Sequence, residues 1–595
     1  MRLKTYCSFQ TGPGDTAAVG GIVLNKVIHY LKPYGMRMLA GFLIKVGGTF
    51  MDLGLPWVLA YILDHVIPHK SISLILWWGV VMIALSIGAR TFNIIANQMA
   101  STVARDTTKC LRHDLFAKIL SLSGTQMDYF TIPSLESRMT SDTYNIHNMI
   151  GMMQRIGVRA PIILIGGIVI TSMMEPVLSL VLIGVLPLLF LVVWLVSRKG
   201  IPLYKKLQLS VDRMVRVVRE NITGIRVIKS LSKTEYEKGR FFAVNSEVVK
   251  KELHAGTVMA VTNPVMNLLL NLGLTLVVVI GAYQVNSGAT QPGKIVAFLS
   301  YFAIMLQAVM AITRIFVTFS KASASAGRIA EVLEVQEDLK VDREQNIQEQ
   351  KEKETKVQIE FDHVSFSYTG EPCVTDISFQ VDQGGSLGII GSTGSGKTTL
   401  VNLLMRFYDV SDGCIRLNGR DIRTLDKKEL RRSFGVVFQN DVLFADKISE
   451  NISLGRELAK EQIHESAEHA QAAAFIEELD QTLDFKLSIR GSNLSGGQKQ
   501  RLLIARALAG KPEILILDDA SSALDYKTDA LLRKAIRENY ERTTTLVIAQ
   551  RISSVMKLDH ILVLEDGRMA GYGTHEELLH SCEIYKEIYQ SQLMD

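Results

Sequence analysis

Cysteine is scarce in this chain and nowhere arranged as a site. Cys7, Cys110, Cys373, Cys414 and Cys582 are odd in number, widely scattered and never spaced as CxxC. That argues for reduced thiols and against a disulfide framework or a cysteine-built zinc centre. A large charge of one sign is missing as well. The formal net charge is +5 over 595 residues, and the basic residues gather in particular loops instead of forming a stripe, so nucleic acid is not an expected partner. Met1 to Ile22 is polar, contains Gly and Asp, and lacks the apolar stretch of a cleavable signal peptide. The first apolar span is therefore expected to stay in the membrane.

What the chain does have is unevenly divided. Its mean hydropathy of +0.19 is high for a soluble protein, yet the long apolar runs all end by Phe319 and the remainder has ordinary soluble α/β composition. Crossing a bilayer takes roughly 20 predominantly apolar residues. Six stretches qualify, at about Met36–Leu63, Ile72–Ala96, Val158–Met174, Val177–Val196, Ala260–Tyr283 and Ile295–Phe319. Before them "IVLNKVIHYLKPY" reads as an amphipathic interfacial helix stopped near Pro33.

The connections after the first, third and fifth spans are short and poor in Lys and Arg. Those after the second and fourth are long and carry Arg105, Lys109, Arg112, Lys118 and Arg138, then Arg198, Lys199, Lys205, Lys206, Arg213, Arg216, Arg219 and Arg226. The excess of positive charge assigns these connections, both termini and the C-terminal half to the cytoplasm. Their helical periodicity predicts stalks that continue the spans beyond the bilayer. Lys45, Asp52, Arg90 and Arg314 fall inside spans, where an ionisable side chain either pairs between helices or contacts substrate. Lys45 and Asp52 lie two turns apart on one face, so each is expected to pair through neighbours.

A charged stretch without aromatics occupies 331–355, and a β-branched, aromatic pattern, "VQIEFDHVSFSY", begins immediately after it. "GIIGSTGSGKTTL" then gives the phosphate-loop spacing, from Gly391 through Ser392, Thr393, Gly394, Ser395, Gly396, Lys397 and Thr398 to Thr399. Its backbone amides suit phosphates, Lys397 neutralises the β and γ oxygens, and the Thr398 hydroxyl suits Mg²⁺. "EILILDDA" is an apolar strand that delivers Asp518 at its carboxyl end, where it suits the same ion. ATP and Mg²⁺ are the expected cofactors.

"LSGGQ", Leu494–Gln498, resembles the signature of the ATP-binding-cassette (ABC) proteins, and the resemblance extends over nearly the whole chain. It implies that Tyr368 stacks on adenine, that Gln439 in "VVFQND" contacts Mg²⁺, and that "SALD" at Ser522–Asp525 is the D-loop. "GYGTHEELL" near the C-terminus fits too. Six spans before one cassette resemble the half-transporters of the ABC exporter group, two of which form the working unit. The expected fold is thus an all-α six-helix transmembrane domain with long cytoplasmic helical extensions, followed by an α/β phosphate-loop ATPase domain. The expected divisions are 1–35 tail and interfacial helix, 36–330 transmembrane domain, 331–355 linker and 356–595 cassette. Ser495 and Gly497 open a helix whose amides and dipole favour an anion. The resemblance directs them to ATP on the opposite cassette. Short helices near Thr125–Phe130 and Glu220–Ile225 are implied to dock on cassettes.

Three positions depart from the family pattern. Asp519 replaces the usual Glu after the Mg²⁺ aspartate and is shorter by one C–C bond, about 1.5 Å. Gln550 in "TTTLVIAQR" stands where a histidine normally meets the γ-phosphate, and its amide cannot become a cation. Ile489 replaces an acid common in exporters just before the signature. Two catalytic replacements beside an intact binding set predict a site that holds ATP and splits it poorly. The expectation is one subunit of a heterodimeric exporter of drugs or other amphipathic substrates in a bacterial plasma membrane. Its partner would be a second half-transporter with catalytic Glu and His. The alternatives are a homodimeric lipid or peptide exporter or flippase with slow hydrolysis, and an ATP-gated channel or regulator.

Overall fold

The computed structural model describes residues 28–341, 356–368 and 370–593, which fall into two compact units. The first unit is wholly helical. Its six long helices are Ile28–His69, Ile72–Ser121, Ile132–Met174, Pro176–Thr223, Thr234–Asn286 and Pro292–Glu334. All exceed what a bilayer requires, because polar helical sequence continues each apolar run. In the second helix only 6% of the apolar window is buried. By length and composition this helix, like the other five, is apolar enough to cross a membrane.

The expected stop at Pro33 is not made. Lys32–Tyr34 tightens into a 3₁₀ turn and the helix resumes at Gly35. Pro33 is the second residue of this turn, within the first turn where proline is tolerated. The remainder of the interfacial segment and most of the charged stretch 331–355 lie outside the described residues.

Small residues set the helix spacing in this unit, as they do where no aqueous hydrophobic effect drives packing. A Cβ on Gly166 would lie 2.8 Å from Leu53 Cδ1, one on Gly273 2.7 Å from Phe302 Cε1, and one on Gly281 2.8 Å from Ile295 Cδ1. Each of these glycines is thus a hollow filled by a large side chain of another helix. The Tyr301 hydroxyl adds a buried bond to Leu53 O at 2.7 Å, worth about 0.6–2 kcal/mol in such surroundings. Lys45 is buried and donates to Asn97 Oδ1 at 3.0 Å. Asp52 accepts from Asn93 at 3.2 Å and pairs with Arg159 at 2.9 Å. Both charges therefore pair between helices and not with each other, while Arg90 and Arg314 are exposed.

The second unit holds two sheets. β1 (Val357–Ser367), β2 (Pro372–Asp382), β4 (Asp412–Leu417) and β5 (Arg420–Asp421) form an antiparallel sheet in the order β2-β1-β4-β5. β3 (Ser386–Gly391), β6 (Phe434–Val437), β7 (Ile514–Asp518), β8 (Thr544–Ile548), β9 (His560–Glu565) and β10 (Arg568–Gly573) form the other, ordered β10-β9-β3-β8-β7-β6. β7 is buried at every position, as a parallel strand covered on both faces must be. In register, Ile389 of β3 stands opposite Ile548 of β8, Asp518 of β7 opposite Ile548, and Val437 of β6 opposite Leu517. The carboxyl ends of four strands are therefore flush.

One short piece from the N-terminal half, Leu122–Thr131, belongs to this second unit. Its helix Gly124–Phe130 is capped by Ser123 with a reciprocal bond from Gln126. Gly124 N donates to Phe407 O at 3.0 Å, and the Tyr408 hydroxyl donates to Asp128 at 2.7 Å. A Cβ on Gly124 would lie 2.5 Å from Tyr408 Cζ and 2.9 Å from Phe407 O. Gly124→Ala is therefore expected to lift this helix from its seat. Amide hydrogen exchange should rise roughly tenfold or more across 123–130 and stay unchanged in β7. Unaltered protection of 123–130 would show that the close approach is not essential.

Candidate functional site

The flush strand ends create one hollow. It has a volume of about 230 Å³ and is lined by Thr393, Gly394, Gly396, Lys397, Thr398, Thr399, Gln439, Asp518, Asp519 and Gln550, together with Cys373, Ile548 and Ala549. The register explains why residues so distant in sequence meet. The loop at Gly391 begins two residues beyond Ile389, Gln439 lies two beyond Val437, Asp519 one beyond Asp518, and Gln550 two beyond Ile548.

The loop turns sharply through Gly394 (φ 86°) and Gly396 (φ 94°), conformations that an L side chain strains to adopt. The helix Lys397–Leu404 starts directly from it, so successive amides and a helix N-terminus face the hollow. Lys397 Nζ donates to the carbonyls of Gly391 and Ser392 at 2.9 and 2.6 Å. Burial holds its ammonium below the usual lysine range, opposed by Asp518 and Asp519. A phosphate group entering the hollow gives this partly desolvated cation a much stronger counter-charge than a carbonyl.

Thr398 Oγ1 lies 3.1 Å from Asp518 Oδ2. Asp518 is buried, and desolvation pushes its carboxyl above the normal range. One carboxylate, one hydroxyl and the nearby Gln439 amide form an oxygen set that would suit a hard cation such as Mg²⁺. Thr398, Asp518 and Gln439 are the residues that would hold the ion, and its charge would supply electrostatic support for the phosphates.

Asp519 has φ 53°, in the left-handed region that Asp tolerates better than most side chains. Its N–H donates to Ile548 O at 2.9 Å, and its carbonyl accepts from Ser522 N at 3.3 Å. The residue is thus fixed by the backbone at the hollow's edge. Burial raises its carboxyl, with Arg551 the main opposing charge. Arg551 and Cys373 were not legible as site residues in the sequence. Cys373 enters because β2 passes behind the loop, where its Sγ lies 3.3 Å from Thr399 Oγ1.

Tyr368 follows β1, is 40% exposed, and donates to Thr399 Oγ1 at 3.3 Å. Its ring meets Tyr408 edge-on, with centroids 5.1 Å apart. Ser495 lies outside the hollow. It caps the helix Gly496–Leu508, accepting from Gln498 N at 3.3 Å and receiving the Gln498 side chain on its own amide at 2.9 Å. A Cβ on Gly497 would come 3.2 Å from Ala523 O, so the signature packs on the D-loop. Asp525 caps the following helix, Tyr526–Asn539. Ile489 is 77% exposed in a turn. The Glu220–Ile225 stretch lies in the first unit, with Ile222 and Ile225 exposed.

Comparison with known proteins agrees on what this arrangement is. The ABC transporter transmembrane region matches residues 38–309, and the ABC transporter family matches residues 374–522. The uncharacterized ABC transporter ATP-binding protein YfiB of Bacillus subtilis is 36% identical over 572 residues, covering 96% of this chain and 98% of that protein. This chain belongs to the ABC transporters. The uncharacterized ABC transporter ATP-binding protein Rv1273c of Mycobacterium tuberculosis is 32% identical, with 95% and 97% covered. In fold, the transporter is similar to a bacterial Atm1-family ABC exporter with ATP bound, at TM-score 0.78 and 24% identity, covering 94% of this chain and 98% of that one. It is a multi-pass membrane protein whose cassette binds and hydrolyses ATP.

Replacing Lys397 removes the cation that lines the hollow. Lys397→Ala is expected to weaken fluorescent-nucleotide binding at this chain's site by about tenfold or more. Unchanged occupancy would contradict the assignment of the hollow.

Proposed function

We propose that the transporter is the weakly hydrolysing half of a heterodimeric exporter. Its own hollow clamps ATP, and its signature completes the active site of a partner half-transporter. The observation that carries this is the composition of one wall. Asp519 and Gln550 both line the same hollow as an intact Lys397, Thr398, Gln439 and Asp518.

A general base must reach its proton within hydrogen-bond distance, and misplacement by about 1 Å costs on the order of a hundredfold in rate. The Asp519 carboxylate is one C–C bond short, on a backbone that the Ile548 bond prevents from advancing. Gln550 can donate a hydrogen bond to a γ-phosphate but brings no charge to it. Binding therefore survives at this site, while polarisation of the attacking water is poor.

The signature supports the second part. Ser495 is exposed at the start of a 13-residue helix and outside its own chain's hollow, so its anion-directed amides serve a phosphate held elsewhere. In a head-to-tail cassette pair that phosphate is the partner's. A useful signature implies a competent partner site, with Glu and His at the catalytic positions. ATP binding at both sites would drive the membrane helices from inward- to outward-facing. The basic long connections support a reading with both termini and the cassette on the cytoplasmic side, and the bacterial relatives support a bacterial plasma membrane. The substrate is a small amphipathic molecule of the drug type.

The order of damage from two substitutions tests the arrangement. In the purified heterodimer, Ser495→Arg puts a bulky side chain against the partner's γ-phosphate, and ATPase and vesicle uptake should fall roughly a hundredfold. Asp519→Asn should cost less than about threefold, because a group too short to act as base has little rate to lose. Equal or reversed damage would move the active site to Asp519. The converse change, Asp519→Glu, restores reach and should raise turnover at this site, at a small cost for Glu in the left-handed conformation. Single-site turnover with the partner's catalytic Glu removed would detect it.

A further inference from the structure

A second hollow, in the membrane unit, is untouched by the nucleotide chemistry. It has a volume of about 610 Å³ and lies among the first, third and sixth long helices at their short-loop end. One wall is aromatic. Trp57, Tyr61 and His65 recur every fourth residue, so they share one helix face. Their rings stack in sequence, with centroids 6.0 Å apart at 20° and then 4.9 Å apart at 13°. Trp78 closes on Tyr61 from the second helix at 4.8 Å. Trp57 nonetheless leaves 47% of its surface open. Met173 and Met174 lie across from it, and such flexible, polarisable side chains fit ligands of varied outline.

The charges of this hollow do not cancel. Lys294 lies 3.4 Å from Glu175, which also accepts from Thr290 at 3.0 Å, so the lysine is already matched by a carboxylate. Asp64 has a neutral donor only, the Gly293 amide at 2.6 Å. Among the described residues no cation lies within ion-pair range of Asp64. The hollow thus combines a half-buried carboxylate lacking a charged partner with the open face of Trp57, at the short-loop end of the first helix.

We propose that this hollow binds the positive end of an amphipathic organic cation, with the charge between Asp64 and the open face of Trp57 and the apolar body against Met173, Met174 and Ile170. Aromatic faces attract such a cation through their quadrupoles, and most strongly where water is thin. The volume is that of a drug-sized ligand site. The proposal deepens the exporter reading by naming a substrate class. It rests on that reading only for the transport step, and not for binding itself.

The test uses the full chain in nanodiscs of phosphatidylglycerol without nucleotide, each variant compared with the unaltered protein in identical discs so that partition into lipid cancels. Tetraphenylphosphonium should bind about tenfold more weakly to Asp64→Asn. Tetraphenylborate, of the same shape and opposite charge, should not lose binding. Trp57→Ala should weaken phosphonium binding, and Trp57→Phe should keep most of it. Binding of a fluorescent ATP analogue at the Lys397 hollow verifies folding in each case. Discs supplemented with phosphatidylethanolamine separate two sources of the cation: competition identifies a lipid ammonium headgroup, and its absence a free amphipath. Equal phosphonium affinity for the unaltered protein and Asp64→Asn would overturn the proposal, as would equal losses for phosphonium and borate. Intact, Asp64-dependent binding by the heterodimer, with no ATP-driven uptake by the same heterodimer in sealed vesicles, would overturn the exporter reading and leave this site standing.

Discussion

The parallel register of β6, β7, β8 and β3 is the constraint on which the nucleotide site depends. Ile389, Ile548, Asp518 and Val437 stand nearly level across the sheet, and each strand delivers a functional residue within two positions of them. A slip of one residue in any strand would send its buried side chains to the opposite face. It would also move a carboxylate or amide by about 3.3 Å, more than a hydrogen bond tolerates. The apolar strands are therefore as much part of the chemistry as the polar loops they carry.

Asp519 is notable for its backbone as well as its length. A left-handed residue held through Ile548 O and Ser522 N keeps its Cα in place, so the backbone adds nothing to the reach of its carboxylate. On the proposed reading, the site retains nucleotide more readily than it hydrolyses it. Its neighbours are shaped for binding: a partly desolvated lysine, a buried aspartate touching a threonine hydroxyl, and a glutamine on the adjoining strand.

Much of this was legible in the sequence because its signals are local. Apolar runs above the bilayer threshold, a glycine loop between strand and helix, and LSGGQ before a helix each carry their meaning within a few residues. The pairings were less legible. Arg159 as the partner of Asp52, Asn97 as the partner of Lys45 and Cys373 behind the loop depend on helix rotation and strand passage. The seat of Asp128 on Tyr408 joins residues 280 positions apart, which no periodicity reveals. Pro33 misled in the other direction: proline is a breaker within a helix but harmless at the start of a 3₁₀ turn.

The filled glycine hollows of the membrane unit limit how it can move. Leu53 in Gly166, Phe302 in Gly273 and Ile295 in Gly281 act as keys in slots. Sliding one helix along another by a single turn would withdraw each key and press it against a larger residue. Gradual shear is thereby disfavoured relative to the swing of preassembled blocks. The first helix stays keyed to the third, and the sixth stays keyed to the fifth, while the freedom to rearrange is left to seams that have no such teeth.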